Sequence, residues 1–256
     1  DAKLRLEMRS ELQRLHLETG ATFVYVTHDQ MEAMTLATKI CLMDNGVLQQ
    51  YDAPLDVYHR PVNLFTADFV GNPPINFIEA AGSQRADGAV ALTALGGREL
   101  VFTPQRPVDL AAWAADAAES AAEREAAGAA RRGKAVKENT ESAFRLRVPT
   151  VDAPEAAEAS EAAATERDFV LGIRPEFLEI RPEGRLEAEV YASLPTGMET
   201  TVKVQVGPFL LTGVIFGPAL YAIGQRVRLD IDGDGVMLFS RSNGRLISEG
   251  SLAVAG

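Results

Sequence analysis

Four apolar residues, Phe23-Val24-Tyr25-Val26, run without a break into Thr27-His28-Asp29 and then into Gln30-Met31-Glu32-Ala33-Met34. Strand-forming side chains in an uninterrupted apolar run suit a strand buried on both faces of a parallel sheet. Thr27, His28 and Asp29 then fall at the carboxyl end of that strand, where open α/β sheets place their ligands. Asp29 predicts an N-cap for a helix over Gln30 to Ala37, and Glu32 stands at capping-box spacing from it. A histidine held between a buried strand and a capped helix has little freedom, so it can be aimed.

The chain is long enough, at 256 residues, for more than one hydrophobic core. Its formal net charge of -11 argues against a nucleic-acid partner, which calls for a basic stripe. The single cysteine, Cys41, excludes an intrachain disulfide, and its place in Ile40-Cys41-Leu42-Met43 predicts a buried thiol in a reducing compartment. No apolar run is long enough to span a bilayer and no signal peptide is visible. The chain begins at Asp1, without methionine and inside a helical pattern, and so reads as a fragment.

Leu4, Met8, Leu12 and Leu15 recur at helical spacing, and Gly20 suits the end of an amphipathic helix packed on a sheet. His16 and His59 fall at surface positions. Residues 39 to 52 predict a hairpin turned at Asn45-Gly46. Asp44 follows four apolar residues, as a Walker B aspartate does, but the next residue is Asn45 rather than glutamate, so Asp44 reads as a turn residue. Pro54 to Arg60 predicts a short helix with proline in its first turn, Asn63 to Val70 predicts another, and Gly71-Asn72-Pro73-Pro74 forms a boundary.

Beyond Ile75 the pattern is that of strands. Asn76 to Ala80, Ala89 to Leu95 and Arg98 to Phe102 are candidates, with Gly96-Gly97 as a turn. Residues 103 to 167 are rich in alanine and charge and poor in large apolar side chains, which predicts a flexible insertion with a solvated helix over Ala111 to Ala130. Order resumes at Phe169 to Ile173. Five further strands follow: Leu186 to Ala192, Thr200 to Val206, Phe209 to Ile215, Arg226 to Ile231 and Val236 to Phe239. Five short strands with alternating faces suit an oligonucleotide-binding-type barrel over 168 to 247, with 248 to 256 as a tail.

Thr27-His28-Asp29-Gln30 with Glu32-Ala33-Met34-Thr35-Leu36-Ala37 resembles the switch-histidine region of ATP-binding cassette (ABC) transporter ATPases. Asp44-Asn45-Gly46, Tyr58-His59-Arg60-Pro61, Phe69-Val70-Gly71-Asn72 and Gly172-Ile173-Arg174-Pro175-Glu176 match the carbohydrate and glycerol-phosphate importer branch in order. The resemblance implies an α/β part followed by an all-β part. Residues 1 to 72 would be the C-terminal part of a P-loop nucleotide-binding domain. Residues 73 to 102 would open a regulatory β domain that continues, after the insertion, as a transport-associated barrel. The resemblance also gives His28 a catalytic role, contacting the γ-phosphate of ATP, and makes Asp1 a nucleotide-side remnant of the D-loop. An imidazole can donate a hydrogen bond to a phosphate oxygen near neutral pH, so that role is sensing and stabilising rather than general base.

For the intact protein the resemblance further implies ATP and Mg2+, a second ATPase subunit, membrane permease subunits and, indirectly, a solute-binding protein. It implies a peripheral place on the cytoplasmic side of the bacterial inner membrane. A Walker A loop, a Leu-Ser-Gly-Gly-Gln signature and a Walker B strand with its glutamate are absent from the 256 residues, since Gly133-Lys134 is followed by alanine and lacks the first glycine. The chain alone is therefore expected neither to bind ATP tightly nor to hydrolyse it. Two other readings stay open: a non-hydrolysing regulatory or ligand-binding barrel module, and a truncated remnant.

Overall fold

The computed structural model describes residues 2–119, 146–152, 157–158, 164–217 and 219–254. Asp1, Gly133, Lys134 and the helix expected beyond residue 119 lie outside the described residues. The chain divides into two compact units, Asp1–Gly71 and Asn72–Gly256.

The first unit opens with α1 (Ala2–Thr19). Gly20, at φ +62°, ends it by donating its N–H to His16 O at 3.0 Å. Of the expected stripe, Leu4, Met8 and Leu15 are exposed and Leu12 is half-buried, so the stripe does not pack on a sheet. His16 is half-buried, with Nδ1 2.9 Å from Ala21 O and its ring against Phe23, whereas His59 is exposed.

The strand expected at Phe23–Val26 does not form. No described strand pairs with it, and Val24 and Val26 are 90% and 92% exposed. A strand needs a neighbour to satisfy its amides, and high β propensity does not replace one. The parallel sheet expected for this unit is correspondingly absent among the described residues.

What the unit does contain is α2 (Gln30–Leu36), the antiparallel hairpin β1 (Ile40–Asp44) and β2 (Val47–Asp52), α3 (Pro54–His59) and α4 (Leu64–Phe69). Asn45 and Gly46 both have positive φ, as a tight two-residue hairpin turn of this hand requires. Asp44 accepts from Asn45 Nδ2 at 2.9 Å, in keeping with a turn role.

Leu42 faces inward with Val57 and Val70 to make a small core, against which Met34, Ile40, Tyr58 and Phe65 pack. Strand alternation therefore turns Cys41 outward, and the thiol expected to be buried is exposed. Buried Gln50 ties the hairpin to the α3–α4 connection, donating to Arg60 O at 3.0 Å and accepting from Val62 N at 3.0 Å.

The second unit is almost entirely antiparallel β structure. Its strands are β3 (Asn76–Gln84), β4 (Val90–Ala94), β5 (Arg98–Pro104), the short pair β6 (Arg147–Val148) and β7 (Ala157–Glu158), β8 (Asp168–Ile173), β9 (Leu178–Ile180), β10 (Leu186–Pro195), β11 (Glu199–Val206), β12 (Phe209–Phe216), β13 (Arg226–Ile231), β14 (Val236–Ser240) and β15 (Leu246–Val254). Six of them close a barrel in the order β14-β15-β5-β4-β3-β8, and five form a separate sheet in the order β12-β11-β10-β13-β9.

This differs from a five-stranded barrel confined to 168 to 247. The strands of that segment divide between two sheets, and the barrel closes only with β3 to β5 and with β15. Most of the expected tail is thus a barrel strand: β15 pairs with both β14 and β5. Its run Leu246-Ile-Ser-Glu-Gly-Ser-Leu-Ala-Val254 is interrupted by Ser248-Glu249-Gly250-Ser251, four residues with no large apolar side chain, which hides the strand from a hydrophobicity reading.

One core spans both sheets. Ile78, Leu100 and Leu171 from the barrel join Leu186, Val202, Val204 and Leu229 from the five-stranded sheet. Each such side chain contributes roughly 1.5–3 kcal/mol when fully buried.

The described ends of the insertion are held by the β structure rather than loose. Residues 110–119 are helical and capped by Asp109, whose carboxylate accepts from Ala111 N and Ala112 N. Gln84 holds that helix start, donating to Val108 O at 2.6 Å and accepting from Leu110 N at 3.0 Å. Past the undescribed stretch, Pro149 O accepts from Leu210 N and Val151 N donates to Pro208 O.

Candidate functional site

The corner before α2 carries the histidine that sequence singled out. Asp29 has an extended backbone and caps the helix, its Oδ1 accepting from Met31 N at 2.8 Å and Glu32 N at 3.2 Å. An aspartate here satisfies helix amides that otherwise lack partners and meets the positive end of the helix dipole. The reciprocal half of the expected capping box is not formed. The N–H of Asp29 goes instead to Thr27 Oγ1, at 2.9 Å.

Glu32 is thereby free for a different task. Its Oε2 accepts from Thr27 Oγ1 at 2.8 Å and from Tyr25 OH at 3.1 Å. Its Oε1 lies 3.8 Å from Nη2 of Arg9 on α1, and the same guanidinium nitrogen is 3.6 Å from Asp29 Oδ2. The hydrogen bond to Glu32, and then its negative charge, raise the Tyr25 phenol above its ordinary value of 10.0.

The result is a backbone corner fastened on both sides of His28. Thr27 and Asp29 are each tied to the other and to Arg9 or Glu32. The His28 imidazole itself is exposed and takes no part in this network. A second tie fixes the start of α2: Gln30 Nε2 donates to Phe69 O at 2.5 Å while its Oε1 accepts from Gly71 N at 2.9 Å.

Chemically, this arrangement presents one ring nitrogen donor on a rigid mount. It fits a single contact to an anionic oxygen. It does not build a cradle for a polyphosphate, and among the described residues no group of three or more His, Cys, Asp or Glu side chains could hold a metal ion. Of the residues singled out from sequence, His28 is placed at such a corner, while Asp1 lies outside the described residues. Sequence places Thr27 beside His28, whereas Arg9 and Tyr25 were missed as partners of the site. The sequence signal for Arg9 was weak: one basic residue on a helix many positions upstream.

No family model matches the chain. Curated proteins do. It is 56% identical over 91 residues to the xylose/arabinose import ATP-binding protein of Haloferax volcanii, covering 34% of this chain and 24% of that protein. It is 51% identical over 98 residues to the lactose transport ATP-binding protein of Rhizobium radiobacter, covering 38% and 27%. It is 49% identical over 100 residues to the sn-glycerol-3-phosphate import ATP-binding protein of Burkholderia lata, covering 39% and 27%. The chain spans about a quarter of the length of these relatives.

Proposed function

We propose that this chain, a relative over its matched residues of sugar and glycerol-3-phosphate import ABC ATP-binding proteins, is the C-terminal part of such an importer subunit. In the intact subunit, ATP with Mg2+ is bound and hydrolysed to energise uptake of a carbohydrate or glycerol-phosphate-like solute. A second ATPase copy and membrane permease subunits are its partners, and it sits peripherally on the cytoplasmic side of the membrane. No described helix is long and apolar enough to cross a membrane. The β unit is the transport-associated regulatory domain.

The observation that carries this reading is the exposed His28 ring on the corner fastened through Thr27 and Asp29. A fixed donor aimed where charge gathers on a phosphoryl group stabilises it without reorganising at the moment of reaction. His28 contributes that hydrogen bond and senses the phosphate. Binding of the remaining phosphates and of the metal belongs to residues outside this set.

The test joins the 256 residues to the nucleotide-binding segment that the relatives carry. H28A is expected to lower ATP turnover by about a hundredfold or more. The 256-residue chain alone is expected to show no steady ATP turnover. Unchanged turnover in H28A overturns the phosphate role. Steady turnover by the chain alone, lost in H28A, overturns its dependence on a partner segment.

A further inference from the structure

His28 is unusual in this unit for what surrounds it rather than for what it touches. Both neighbours in sequence are immobilised by side-chain hydrogen bonds. The Thr27 hydroxyl donates to Glu32 Oε2 at 2.8 Å and accepts from Asp29 N at 2.9 Å, so one oxygen links the residues on either side of the histidine. A hydroxyl has a single hydrogen to give. With Glu32 accepting it, a lone pair of the same oxygen is left for the Asp29 amide. Removing the carboxylate leaves that hydroxyl free to rotate, and the Asp29 amide loses a fixed acceptor.

Arg9 closes the arrangement from α1. Its Nη2 lies within 4 Å of both carboxylates, 3.6 Å from Asp29 and 3.8 Å from Glu32. Arg9 and Glu32 are mostly covered and Asp29 is about a third exposed, so this pairing is less screened than one between fully exposed side chains. Two carboxylates from one helix start would otherwise repel each other. The guanidinium set between them offsets that repulsion while Asp29 caps the helix and Glu32 accepts from Thr27.

We propose that Arg9 and Glu32 are positioning residues for His28, fixing the Thr27-His28-Asp29 backbone so that the imidazole meets a phosphoryl oxygen in one orientation. The inference rests on the phosphate-contact reading of His28 and extends it to two residues that do not touch the phosphate. Tyr25 OH, 3.1 Å from the same Glu32 oxygen that accepts from Thr27, is a second donor to the carboxylate. A helix-capping role alone would involve Asp29 and leave Glu32 dispensable. Here Glu32 sits on the far side of the hydroxyl from the cap and controls it.

Two measurements test this together. In the 256-residue chain, amide hydrogen exchange is followed for Glu32→Ala and Glu32→Gln. Exchange at Asp29 is expected to rise about five- to tenfold in E32A, with the hairpin amides of Ile40–Asp44 unchanged, and to rise less in E32Q, whose amide oxygen still accepts from Thr27. In the chain joined to its nucleotide-binding segment, E32A is expected to lower kcat about tenfold or more, with KM for ATP within about twofold and partial rescue by E32Q. Unaltered Asp29 exchange in E32A overturns the clamp. Unaltered kcat in E32A alongside a strong loss in H28A overturns the positioning role while leaving the phosphate contact standing. Unaltered kcat in H28A overturns the phosphate contact and the positioning role with it. Global unfolding of E32A, seen as faster exchange throughout the hairpin as well, with E32Q equally affected, assigns Glu32 to stability and overturns the proposal.

Discussion

Asn76 and Thr212, 136 positions apart, are joined by two hydrogen bonds: Asn76 Nδ2 donates to Thr212 O at 2.8 Å, and Thr212 N donates to Asn76 Oδ1 at 2.7 Å. The asparagine amide acts as one peptide unit of a missing strand. It connects β3 of the barrel to β12 of the five-stranded sheet, and its Nδ2 also donates to Ile173 O at 3.1 Å. Asn76 and Ile173 are buried and Thr212 is half-buried, so loss of the side chain leaves backbone groups of low exposure without their partner.

Asn76→Ala is accordingly expected to destabilise the β unit by about 2–3 kcal/mol, the cost of leaving buried partners unsatisfied. Chemical denaturation followed by tryptophan-independent circular dichroism checks it. A change below about 0.5 kcal/mol would show that water replaces the amide.

Gly82 is a steric requirement of the barrel. A Cβ there would lie 2.0 Å from Ala91 O on the paired strand, a backbone atom that cannot swing aside. Gly82→Ala is expected to cost about 3 kcal/mol or more. Gly46→Ala, in open space but at φ +81°, is expected to cost only about 1–2 kcal/mol of backbone strain. Thermal melts of the two variants should separate them clearly.

Tyr25 gives the corner a pH signature. Its phenol is raised above 10.0 because Glu32 accepts its hydrogen bond and carries a negative charge. A folded value above the unfolded one means that the contribution is fully present below pH 10.0 and is lost as pH rises through the folded value. In an ultraviolet difference titration, E32Q is expected to ionise one of the five tyrosines at lower pH than the parent chain. Superimposable titrations would show that the contact does not persist in solution.

Cys41 is exposed on β1. A water-soluble thiol reagent is expected to modify one thiol per native chain without denaturant. Modification that waits for unfolding would place the side chain inside.

The sequence by itself determined the local chemistry. The Asp29 cap, the Asn45-Gly46 turn, the helix opened by Pro54 and most strand positions depend on residues a few places apart, so they could be found by spacing. The resemblance carried by the His28 region was likewise legible in a short ordered series of motifs.

Only the tertiary structure decided which partners those elements find. Phe23–Val26 has the composition of a buried strand, yet without a paired neighbour among the described residues it stays exposed. Leu246–Val254 is broken by the polar run Ser248-Glu249-Gly250-Ser251, yet two neighbours supply its hydrogen bonds and draw it into the barrel. Glu32 stands at the spacing of a capping box, yet Thr27 takes the Asp29 amide and turns the carboxylate toward Arg9. In each case the local pattern sets what a residue can bond to. The partner it actually meets is fixed by distant chain brought near, which spacing along the sequence does not encode.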